Sequence, residues 1–188
     1  MVYAFLEKNK QINLSAIRDK EWVMIKHIQD SLELDKIINW KEWMKIADIW
    51  TGGGFPLMPL AISHPECDFV WIDSVRKKTI AVWEILDELR VKNVEMIWSR
   101  IEGIKDQKFD LVTARAVAYS DKLLNWATPL VKNWWRIALM KQVNNEEKEI
   151  LLDTAKKKNF VLEKEYNYKL FDWDIDRVIY IIRNKGIK

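Results

Sequence analysis

Lys45-Ile46-Ala47-Asp48-Ile49-Trp50-Thr51-Gly52-Gly53-Gly54-Phe55-Pro56 is the stretch on which the reading of the fold turns. It opens with a short, mostly apolar run of the kind that fills a covered strand, and three consecutive glycines follow almost at once. Those glycines remove every Cβ from the turn, so a ligand can approach the main chain before the helix predicted at 56–63 begins. A phosphate-cradling loop would need Lys and then Ser or Thr after the glycines, and Phe55-Pro56-Leu57 supplies neither. The crowded glycines and Pro56 also fit a dinucleotide fingerprint poorly. A tight strand-to-helix connection with no ligand stays open as an alternative, but the loop suits a cofactor that has no pyrophosphate.

Outward from that unit, strand-like and helix-like segments alternate. Further strands are predicted at 68–72, 94–98, 109–113 and 136–141, and helices at 75–90, 120–131 and 145–158. Segments 160–170 and 176–183 read as a closing hairpin, and helices are expected at 2–11 and roughly 20–38. Such alternation with short connections argues for an α/β fold, a mostly parallel sheet of seven strands with helices on both faces. No repeat, low-complexity tract or linker interrupts it. Residues 1–40 are expected to form an N-terminal helical extension and 41–188 the main domain.

Composition narrows the class. Hydrophobic residues make up 49% of the 188 and charged residues 31%, as in a globular protein with a solvated surface. No run approaches the ~18 apolar residues of a spanning helix, and MVYAFLEKNK lacks the apolar core of a signal peptide. The chain is therefore expected in the cytoplasm; a monomer is expected, though nothing in the sequence derives the oligomeric state. Cys67 is the single cysteine, which leaves no intrachain disulfide or thiolate cluster, and two histidines cannot by themselves build a metal site. A net charge of +3 permits a nucleic-acid partner without requiring one.

Two counts are anomalous in opposite directions. Glycine appears 5 times, where ordinary usage predicts about 13. Tryptophan appears 11 times. Trp50 stands in the first turn of a strand-loop-helix unit, and Trp134-Trp135 are expected in the turn before the strand RIALMK. The pattern is that of glycines encoded by UGA and written as tryptophan; a genuinely tryptophan-rich chain is the alternative, and Trp126, on a helical stretch, reads as authentic.

The remaining candidates fall at the ends of the predicted strands. Asp73 lies 21 positions after Gly52, where an acidic residue can accept hydrogen bonds from both ribose hydroxyls of a nucleoside. It or Ser74 could equally cap a helix. Ser99-Arg100-Ile101-Glu102 follows the third strand, and Arg115 ends the fourth, where ligands bind in open α/β sheets. A salt bridge from Arg115 to Glu102 or Asp73 is the plainer alternative.

In order along the chain, INLSAIRD, KHIQDSLEL, DI(W)TGGGFP, FVWIDSVRKK, SRIE, FDLVTARAVA and IALMK resemble the bacterial 16S rRNA methyltransferase G family, also called glucose-inhibited division protein B. The resemblance implies a class I Rossmann-like methyltransferase with an antiparallel last strand, using S-adenosyl-L-methionine to methylate N7 of a guanosine in 16S rRNA near the decoding region. By the same resemblance the cofactor contacts fall on position 50, Phe55, the Ile101-Glu102 pair and Arg115, with Thr51, Gly52, Gly54, Asp73 and Ser74 beside them. The family has glycine where Trp50 is written, and an indole there is expected to fill the cofactor space. The chain also begins inside the helix that precedes Asn13-Leu14, so the family's earlier helical segment is expected to be missing. Guanine N7 carries a free lone pair, so no general base is required; positioning by Arg115, Lys141 and His27 is expected to supply most of the acceleration. For the 16S rRNA or small ribosomal subunit as partner, Arg18, His27, Arg115 and Lys141 are candidate contacts, with Lys77 and Lys78 on phosphates. The rivals are a methyltransferase of the same fold acting on another substrate and a non-catalytic RNA-binding relative with an obstructed cofactor site. A nicotinamide dehydrogenase is weakened by the absence of a second domain and of a proper fingerprint.

Overall fold

A computed structural model describes residues 1–49, 52–115, 119–170 and 175–186. Seven strands, β1 (Lys45–Ile49), β2 (Asp68–Asp73), β3 (Val94–Trp98), β4 (Phe109–Arg115), β5 (Val131–Gln142), β6 (Phe160–Lys169) and β7 (Asp176–Asn184), form one sheet in the order β3-β2-β1-β4-β5-β7-β6. The pairs from β3 to β5 are parallel, and β7 runs antiparallel to both β5 and β6. The strand order reverses between β1 and β4, so the crevice beyond their carboxyl ends is where such a sheet holds ligands.

Period-two alternation divides each central strand between two cores. Ile46, Phe69, Trp71, Leu111, Ala138 and Met140 face one side, where they meet α1 (Val2–Gln11), α4 (Leu57–Ser63) and α5 (Arg76–Glu88). Ala47, Val70, Ile72, Val112, Ile137 and Leu139 face the other, under α6 (Ser120–Ala127) and α7 (Asn145–Lys157). Covered on both faces, these strands read as near-continuous apolar runs, which is why they were visible in the sequence. Residues 1–40 enter the first core directly: Phe5, Val23 and Leu34 are fully buried there beside Phe69 and Trp71. Lys8 of α1 also pairs with Glu84 of α5 at 2.7 Å.

The helix expected over 20–38 is a composite. It runs from α2 (Lys20–Val23) through a π-helical turn, Met24–Gln29, into α3 (Asp30–Leu32) and a 3-10 turn, Glu33–Lys36. Asp19 caps its start by accepting from the Trp22 amide. A π turn rotates the residues that follow it relative to a straight helix and is common at functional sites. Here it brings Lys26, His27 and Asp30 together toward the end of β4.

Strand β5 is longer than predicted. Phe109 pairs with Val131 and Leu111 with Arg136, so β5 carries an irregular insertion before regular register resumes at Arg136. Trp134 and Trp135 therefore lie inside the strand rather than in a turn ahead of it. Trp134 nonetheless has φ 69°, and Trp43, just before β1, has φ 72°. Trp135 is not among the positive-φ residues.

Candidate active site

At the carboxyl ends of β1 and β2 the glycine turn is held to its neighbour. Asp73, at the end of β2, accepts from the Gly52 amide at 3.1 Å and from the Val75 amide at 2.8 Å. Both bonds orient a buried carboxylate at the turn. Gly52 has φ 57°, and a Cβ there would meet only the Lys78 ammonium, at 3.9 Å. That leaves open space against bare backbone on this side of the turn. The next two glycines are constrained differently: a Cβ on Gly53 would come to 3.0 Å from the Leu14 carbonyl, and Gly54 holds φ 92°, where a side chain is strained whatever the space.

Phe55 is buried and lies parallel to the His27 imidazole, with ring centroids 4.5 Å apart. The Arg115 guanidinium lies over the same phenyl ring at 5.5 Å. Arg115 donates to the Lys26 carbonyl at 2.9 Å and to Asp30 Oδ2 at 3.2 Å, and its Nη2 stands 3.0 Å from His27 Nδ1. A guanidinium can only donate and a carbonyl only accept, so Nδ1 cannot serve both Arg115 at 3.0 Å and the Lys26 carbonyl at 3.2 Å. With the shorter contact to Arg115 made, Nδ1 accepts, and the ring proton sits on Nε2 and donates to Ser15 Oγ at 2.8 Å. Burial, and next the Arg115 charge, push the His27 pKa down to about 4. The ring is neutral at physiological pH.

Asp30 is the hub of the arrangement. Its carboxylate, almost wholly buried, accepts from Arg115, from Arg177 Nε and Nη2 at 3.2 and 3.1 Å, and from the Tyr168 hydroxyl at 2.6 Å. One side chain thus joins the N-terminal helix to the ends of β4 and β6 and the start of β7. Burial and the Asp30 carboxylate push the Tyr168 phenol well up, which keeps it a donor. Burial lowers the Arg115 pKa, and Asp30 opposes that shift. A cavity of about 340 Å³ opens among Lys26, His27, Asp30, Phe55, Arg115 and Arg177. Three cations against one carboxylate leave it positive, suited to an electron-rich or anionic ligand. A larger cavity, about 590 Å³, lies at the opposite ends of the strands among Met44, Asp110, Trp134 and Trp135, away from the switch point.

The predicted residues divide cleanly. Gly52, Asp73, Phe55 and Arg115 lie at the carboxyl ends of β1, β2 and β4, and Ile101, just after β3, is buried in the core cluster that also holds Ile49, Ile72 and Ala114. Ser74 and Glu102 are exposed at the same rim. Trp50 and Thr51 lie outside the described residues. The salt bridge of Arg115 goes to Asp30, not to Glu102 or Asp73. Lys141, expected on RNA, is buried and paired with Glu147 across the β5 to α7 connection. Arg18 is turned to the Asn9 carbonyl and the Asn13 side chain, fastening the N-terminal loop. His27 lines the cavity as expected but, being neutral, offers no charge to phosphate. Lys78 reaches the glycine turn, whereas Lys77 stays on the solvated face of α5. Burial, with Glu66 beside it, pushes the Cys67 thiol up to about 11, so it is no nucleophile.

Arg177 and Tyr168 were not foreseen. Nothing in the local pattern of β6 and β7 separates them from ordinary strand polar residues; only the pairing of the final hairpin brings both to Asp30.

Comparison with known proteins agrees with this geometry. The sequence model of the family described as GidB, rRNA small subunit methyltransferase G, matches residues 2–172. A ribosomal RNA small subunit methyltransferase G of Thermoanaerobacter sp. (strain X514) is 37% identical over 184 residues, covering 95% of this chain and 77% of that protein. The enzyme of the same name from Fusobacterium nucleatum is 36% identical, covering 96% of this chain and 79% of its own length. Among solved structures, a methyltransferase from Pyrococcus furiosus superposes with a TM-score of 0.68 at 16% identity, covering 98% of each chain. TYW2 of M. jannaschii, solved in complex with AdoMet, gives 0.66 at 18% identity over 85% of this chain and 77% of that one.

Proposed function

The chain belongs to the rRNA small subunit methyltransferase G family, and on that premise we propose that it transfers the methyl group of S-adenosylmethionine to N7 of a guanosine in 16S rRNA. The observation that carries the reading is the convergence of Gly52, Asp73, Ile101 and Arg115 at the switch point, beside a positive cavity of nucleobase size. These residues fit the cofactor. The open side of Gly52 takes a ligand against bare backbone, Asp73 is fixed to accept ribose hydroxyls, and the rim at Ile101-Glu102 can border an adenine. When bound, S-adenosylmethionine supplies an electrophilic methyl group on a sulfonium.

The protein's own groups then position and exclude. Arg115, immobilised by Asp30, the Lys26 carbonyl and His27, presents a fixed charge at the junction of the cofactor berth and the cavity. The Phe55 and His27 rings form an apolar wall that keeps water from the reacting centre. Guanine N7 needs no deprotonation, and a neutral His27 whose Nδ1 already accepts from Arg115 is not arranged as a base. Catalysis rests on alignment of the N7 lone pair behind the methyl group, and the base must be unpaired or flipped to enter the cavity. The second reading, a non-catalytic RNA-binding relative, is favoured only by the tryptophan written at position 50. Mass mapping of 16S rRNA from a strain lacking the gene tests the proposal: one 7-methylguanosine disappears if it is right, and an unchanged modification pattern refutes it.

A further inference from the structure

The backbone singles out particular tryptophans independently of any cofactor. Trp43 and Trp134 both occupy the left-handed region, at φ 72° and 69°. There an L-residue's Cβ crowds the following carbonyl, whereas glycine enters freely, and for a bulky side chain the conformation is a true outlier. Asp106 and Asn159, also at positive φ, are of the types that tolerate it, and Arg90, at φ 57°, stands just past the C-cap Leu89 of α5, where helices commonly end in this conformation. Burial does not compensate the strain at the tryptophans, since Trp43 is 60% exposed and Trp134 59%. Trp134 also crowds a real glycine: its indole stands 2.6 Å from where a Cβ on Gly186 would be. Trp71, by contrast, lies in the middle of β2 outside the left-handed region and is fully buried there.

We propose that positions 43 and 134, and with them position 50 in the cofactor loop, are glycine in the protein the cell makes, encoded by UGA codons that it reads as glycine. The first two rest on backbone geometry; position 50, outside the described residues, rests only on the proposed methyltransferase reading of the loop. The proposal accounts for the shortage of glycine and the excess of tryptophan together.

Peptide mass spectrometry of the protein purified from its native cells is the direct test. Peptides spanning 43, 50 and 134 should each carry the mass of glycine, and tryptophan at any of the three overturns the proposal. The backbone argument has its own readout in recombinant protein. At 43 and 134 the Trp→Gly variant should melt above the Trp→Ala variant by about 2–8 °C, because only alanine meets the left-handed strain. At Trp83, in the interior of α5, the order should reverse, since glycine weakens a helix relative to alanine. Alanine variants equal to or more stable than the glycine variants at 43 and 134 would overturn the geometric premise. Neither readout involves methyl transfer, so a failure here is distinct from a failure of the proposed activity.

Discussion

Replacing Asp30 by Asn should disable the site and loosen the fold at once. The substitution keeps the shape and one acceptor oxygen but puts an NH₂ group against donors. Asp30 is the shared partner of two guanidinium groups whose side chains are only 13% and 8% exposed, Arg115 and Arg177. Removing one member of a buried ion pair typically costs about 3–5 kcal/mol, because the remaining charge is left uncompensated. Here two charges would be left facing one another; the retained amide oxygen offsets part of the loss, so about 3 kcal/mol is the expected value. For a domain of this size that is a fall in Tm of about 6–12 °C. Freed from Asp30, Arg115 also loses its fixed position, and affinity for S-adenosylhomocysteine should fall at least about tenfold, or 1.4 kcal/mol. Urea unfolding and calorimetry on the purified Asp30→Asn protein measure both. A stability change below about 1 kcal/mol, the range of an exposed pair, would refute the claim that this carboxylate joins the N-terminal helix to the sheet.

Other perturbations follow from the same geometry. His27 is neutral in the fold, with its pKa held near 4 against 6.5 for the free group, so the unfolded chain takes up a proton first as pH falls. Its contribution to stability is complete above pH 6.5 and is lost progressively toward pH 4, by at most about 3 kcal/mol. Urea midpoints should therefore decline less over that window in a His27→Gln variant, and identical declines would contradict the assignment. Gly52→Ala places a Cβ at φ 57° in the open berth; it should cost about 1–2 kcal/mol of stability and weaken S-adenosylhomocysteine binding. Equal affinity by calorimetry would show that the cofactor does not lie against Gly52. Lys141→Met removes a buried partner of Glu147, so it should cost about 1–3 kcal/mol of stability while leaving the salt dependence of RNA binding unchanged. A shallower slope of log K against log salt would return Lys141 to the RNA interface.

The sheet was legible because its parallel strands are covered on both faces and read as apolar runs between glycine, serine and aspartate turns. The start of β5 was not, since an irregular insertion between Val131 and Arg136 breaks the register there. The cofactor side of the site was legible as well, because a glycine turn, an acid at the end of β2 and an arginine at the end of β4 each have a local signature. The charge network behind it was not. Lys141 and Lys78 look alike in sequence, yet one is buried against Glu147 and the other reaches the glycine turn. Arg177 and Tyr168 act only through a partner well over a hundred residues away, brought near by a π turn that sequence periodicity does not reveal.

The central claim is methyl transfer to guanine N7 from a cofactor seated at the bend after β1. Its most direct test is to incubate 16S rRNA with labelled S-adenosylmethionine and the Trp50→Gly protein, digest the RNA to nucleosides and separate them. The label should appear in 7-methylguanosine, and replacing Arg115 by Ala should abolish it. Label in any other nucleoside, or 7-methylguanosine formed equally well without Arg115, would contradict the account.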